Sequence, residues 1–163
     1  MLRFLKNFLL FAILCLFQVF SQGNFFIKPV IDLLLIFLIL TFFDLPFIYL
    51  VVLLLVRGII FDSLSGLFWG INLLSLGFTF GIGFLLTKLL ERENFISKII
   101  IGEIMMASYW LVLFVFNLMM AHQNLGLMVI VDFLINSLIY LGFIFLNHYV
   151  FPKKIHYQRQ ILA

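Results

Sequence analysis

Five ionisable side chains lie within long apolar stretches of this chain: Arg57, Asp32, Asp62, Glu103 and Asp132. Charges in such surroundings are costly, so they face a protein interior or a cavity, pair with one another, and mark functional sites. The chemistry open to them is charge pairing, proton handling or cation binding. Nucleophilic catalysis has little support. Ser63 and Ser65 have no histidine near them in sequence, and the chain contains no HExxH, GxSxG or GxxxxGK[ST] pattern. Asp62 and its neighbours do not form the repeated aspartate pattern with which membrane phosphotransferases hold divalent metals. His122, His148 and His156 are far apart and not at zinc-ligand spacing, and a single cysteine, Cys15, rules out a disulfide framework and a CxxC motif. No catalytic residue, cofactor or metal is expected, and the chain reads as non-enzymatic.

The elements that carry these charges follow from composition. Of 163 residues, 66% are hydrophobic and 10% charged, and the mean hydropathy is +1.28. Soluble domains have about 45–50% apolar and about 25% charged residues. This chain cannot clothe itself in polar surface, so lipid is its expected surroundings. A bilayer core of about 30 Å takes about 20 apolar residues per helix. Six apolar runs, at about residues 5–21, 28–43, 45–62, 66–90, 96–120 and 125–151, predict an all-α bundle of six transmembrane helices. They fill residues 1–163 as one integral membrane domain. The first run is read as an uncleaved spanning helix, since no small-x-small cleavage site follows it.

Orientation follows from the basic residues. With six helices, Arg3, Lys6, Lys88, Arg92, Lys98, Lys153, Lys154 and Arg159 share the side of both termini, and Lys28 alone is opposite. The positive-inside bias then places both termini in the cytoplasm. The formal charge of +3 has this cause rather than nucleic acid, because no basic run alternates with exposed aromatics.

In that frame Asp32, Asp62, Asp132 and Arg57 fall in the outer half of the membrane, and Glu103 lies near the cytoplasmic end. Arg57 is expected to be charge-paired inside the bundle. Asp132 is the best partner by depth and Asp32 the next, and outward snorkelling of Arg57 is the competing reading. Gly66, Gly70, Gly77 and Gly81 fall within an arc of about 60° on a helix. Two of their steps are GxxxG, which lets membrane helices approach closely. The favoured reading is packing against a neighbour in the same chain; the other is a face for a partner protein.

Gly58, Asp62, Ser65, Gly66, Gly70 and Asn72 form a G-x3-D-x2-SG-x3-G-x-N pattern, and Pro29 and Asp32 open a P-x2-D-LLL run about thirty residues earlier. With these motifs, the six apolar runs, the charged loop after helix four and the basic tail, the chain resembles the MreD family of bacterial rod-shape-determining proteins. The resemblance implies a subunit of the cell-elongation machinery, the elongasome, that scaffolds or regulates peptidoglycan synthesis. It also implies the bacterial cytoplasmic (inner) membrane as location. The partners would be MreC, the MreB filament, the RodA glycosyltransferase and an elongation transpeptidase. The fold it implies is similar to that of the S components of energy-coupling-factor transporters, so a small-molecule (vitamin) binding subunit of a transporter is the alternative. On physical grounds the pattern marks the corner between helices three and four. Asp62 and Ser65 can accept from the free N–H groups opening helix four, and Gly66 allows a tight turn. The corner is either a structural joint alone or also a surface that a partner reads.

Overall fold

A computed structural model describes residues 2–23, 31–65, 70–91, 94–119 and 126–149. They form six helices: α1 (Leu2–Gly23), α2 (Leu33–Phe42), α3 (Phe47–Ser65), α4 (Ile71–Leu89), α5 (Phe95–Met119) and α6 (Gly126–Tyr149). Three stretches are long and apolar enough to cross a membrane: Ile71–Leu89, Phe95–Phe116 and Val129–Tyr149. Leu85, Leu111 and Leu138, among many other large apolar side chains, are exposed. That is the surface of an α-helical protein bathed in lipid rather than water.

The second helix differs from expectation. A span of about 28–43 was expected, but α2 has 10 residues. At 1.5 Å per residue it is about 15 Å long, half a hydrocarbon core. Its composition explains its place: LLLIFLILTF has no polar face, and a helix apolar all round is buried. Leu34 to Ile39 are all buried. The helix runs up the middle of the bundle, in contact with α1, α3, α5 and α6. Around it, α1 packs on α3, α3 on α4, α4 on α5, and α5 on α6.

Close approach between these neighbours depends on glycines other than the expected stripe. Gly58 faces α4, where an added Cβ would lie 2.6 Å from Leu73 Cδ1 and 3.2 Å from Leu73 Cα. Gly83 faces Met105 on α5, with 2.5 Å from an added Cβ to Sδ. Gly102 on α5 lies directly beneath the Tyr140 ring of α6. By contrast, Gly77 and Gly81 are exposed, with nothing within 4 Å of an added Cβ. Their expected packing within the chain is therefore corrected. A shared arc fixes which residues face together but not which way they face. Gly66 lies outside the described residues, and Gly70 precedes α4, which begins at Ile71 rather than near residue 66. Gly77→Ala and Gly81→Ala are accordingly expected to leave the fold intact and to raise helix stability by about 0.5–1 kcal/mol each. Thermal unfolding in detergent checks this: a lowered midpoint for either variant would mean that the face is covered within the chain.

A buried polar network joining all six helices

The start of α2 poses a problem that the surrounding residues solve. A helix that begins inside a bundle leaves its first N–H groups without intrahelical partners, and in a membrane no water is at hand to take them. Here side chains supply the acceptors. Asp32 is the N-cap, its Oδ1 accepting from Leu35 N–H at 2.8 Å. Gln18 of α1 accepts from Leu34 N–H through Oε1 at 3.1 Å, and its Nε2 donates to Asp32 Oδ1 at 3.2 Å. Asn136 of α6 accepts from Asp32 N–H through Oδ1 at 2.7 Å, and its Nδ2 donates to the Asp132 carbonyl at 2.7 Å.

Arg57 of α3 meets the other carboxylate oxygen. Its Nη2 donates to Asp32 Oδ2, forming an ion pair whose arginine is fully buried. The same Nη2 donates to the Tyr109 hydroxyl of α5 at 3.2 Å. That hydroxyl donates to Asn72 Oδ1 of α4, also at 3.2 Å. The Phe61 and Tyr109 rings lie over the guanidinium carbon, at 4.9 and 5.1 Å to their centroids. Outward snorkelling does not occur: Arg57 points inward and is 0% exposed.

Depth ranked Asp132 ahead of Asp32 as the partner of Arg57, and the structure reverses that order. The reason lies in the helix boundary. Asp32 stands before α2 rather than within it, so the bundle is free to bring its carboxylate over the arginine. Asp132 contributes its backbone carbonyl, which orients Asn136. Glu103 is away from this site, accepting from Ser137 Oγ of α6 at 2.6 Å.

At the α3–α4 corner, Asp62 accepts from Asn72 N–H at 2.9 Å and from Leu73 N–H at 3.4 Å. Gly70 precedes the helix with φ of 100°, a left-handed conformation that favours glycine. The side chain of Ser65 lies outside the described residues, as does Gly66. Asp62, in the last turn of α3, thus caps the start of α4, and Asn72 passes the corner on to Tyr109. Among the described residues, two acids and one base make up the buried charge. Asp32 is balanced by Arg57, and Asp62 by the positive end of α4. Asp62→Ala is expected to cost about 1–2 kcal/mol, the usual worth of an N-cap. Asp62→Asn, which keeps one acceptor, should cost less. Equal unfolding midpoints for wild type and Asp62→Ala would remove the cap from the account.

The network therefore runs from Gln18 through Asp32, Arg57, Tyr109 and Asn72 to Asp62, with Asn136 attached at Asp32, and it touches every helix. The sequence points to Arg57, Asp32, Asp62 and Asn72, but not to Tyr109. The signal for Tyr109 is its position. Tyrosines in spanning helices gather at the interfaces, and one at mid-span needs a polar partner for its hydroxyl. Among the described residues no three His, Cys, Asp or Glu side chains come together as a metal site.

Six helices among the described residues, three able to cross a membrane, with the short α2 held among four of the others and one polar network tying them, define an α-helical membrane protein. Compared with known proteins, the chain matches no family model, no curated protein and no solved structure.

Proposed function

We propose that the chain is a non-enzymatic membrane subunit of a bacterial cell-elongation complex, a member of the MreD type that scaffolds or regulates peptidoglycan synthesis. In this reading it lies in the cytoplasmic membrane with both termini inside. Its partners are MreC and, in a larger assembly, MreB, RodA and an elongation transpeptidase. The likeness of its fold to energy-coupling-factor S components belongs to the same proposal. The observation that carries the reading is the use made of the pattern through which the chain resembles that family. Gly58 admits Leu73, Asp62 caps α4, Gly70 turns left-handed and Asn72 joins the network. Polar groups in this region are spent on holding helices together, as suits a scaffold.

Depletion of the protein in a rod-shaped host tests the reading. Cells should become round and then recover their rods when the wild-type gene is restored. Rods that persist after depletion would overturn it, and a vitamin-uptake defect in those rods would favour the transporter reading.

A further inference from the structure

Arg57 has five N–H donors, and the protein uses those on one nitrogen. Nη2 donates to Asp32 and Tyr109, while Nε and Nη1 have no protein partner although the side chain is 0% exposed. Among the described residues two other buried polar atoms share this condition, Glu103 Oε1 and Trp110 Nε1, each a single atom. Arg57 is different in kind: it has unpaired donors on two nitrogens of a single charged group. The guanidinium carbon lies over the Phe61 and Tyr109 rings, and neither residue supplies an oxygen to Nε or Nη1. Buried donors of this sort find an acceptor in native proteins, and internal water is the usual one.

We propose that the unpaired Nε and Nη1 donors of Arg57 bind internal water, which completes the network between the six helices. Charge selects water over an anion. Asp32 already neutralises Arg57, and Asp62 is a second buried acid close to the Asn72–Tyr109 end of the network. A carboxylate or phosphate at these free donors would add a further buried negative charge with no base left to meet it. A neutral oxygen carries no such cost, and it can donate its own hydrogens onward to carbonyl or ring acceptors nearby.

Hydroxyl-radical footprinting by X-ray pulses on the purified full chain in detergent provides the test. Radicals form from bound water, so buried side chains beside such water are oxidised despite their burial. Phe61 should be modified several-fold faster than Phe42 and Phe80, which are equally buried and pack on each other rather than on the guanidinium. Equal rates for the three would overturn the proposal. A density map of the same preparation should show a single oxygen within hydrogen-bond reach of Nε or Nη1. An anion there, or a protein group accepting from Nε and Nη1, would overturn it as well.

Discussion

Asp32→Asn is expected to remove most of the folded protein from the membrane. Asparagine keeps an oxygen for the cap on Leu35 N–H, so α2 can still start. It also turns an amide N–H towards Arg57 Nη2 where a carboxylate had been, leaving donor against donor. Arg57 is fully buried, so its charge stays inside the bundle. Removing one partner of a buried pair costs about 3–5 kcal/mol, because the other charge is left uncompensated. Against a typical stability of about 5–15 kcal/mol that is a large share. Adding Arg57→Met should restore much of the loss, since methionine fills the space beside Phe61 and Tyr109 without charge. Membrane-protein level and unfolding midpoint report both effects. A wild-type midpoint for Asp32→Asn, or a double variant no better than the single, would show that the pair does not hold the bundle.

Gly102→Ala is the second large effect. The added methyl would occupy the place of the Tyr140 hydroxyl and ring carbons. Tyr140 cannot swing aside cheaply, because it is fully buried and its hydroxyl donates to the Lys98 carbonyl at 2.8 Å. Overpacking of this kind costs about 1–3 kcal/mol, and the lost hydrogen bond about 1 kcal/mol more. Tyr140→Ala alone opens a cavity worth about 3–5 kcal/mol. In the double variant the new methyl lies in that cavity and meets no ring. Its midpoint should therefore match Tyr140→Ala alone instead of falling by the sum. Additive losses would mean that Gly102 is needed for something other than the ring above it.

These two sites differ in how visible they were beforehand. The helices were legible because apolar runs of spanning length leave few other structures open. Charges within the runs drew notice to Arg57 and Asp32, since such residues must have partners. Asp62 was legible as a cap from its place between two runs. The choice between Asp132 and Asp32 was not, because depth along a membrane says nothing of direction round a helix axis. The same gap hid the orientation of Gly77 and Gly81. It also hid Gly102, whose role depends on a tyrosine 38 positions later falling directly above it. The shortness of α2 escaped because Asp32 was counted inside a run that it in fact begins.

That short helix has a consequence for biogenesis. Ten residues cannot be held across a bilayer by their own hydrophobicity. As ribosomes deliver the chain, α2 therefore has no stable resting place until its neighbours arrive. The acceptor for Asp32 N–H is Asn136, which emerges 104 residues later. Until then the nascent protein carries an unsatisfied donor and a charge pair without its full enclosure. Completion of the sixth helix is thus the step that supplies the acceptor for Asp32 N–H and closes the start of α2.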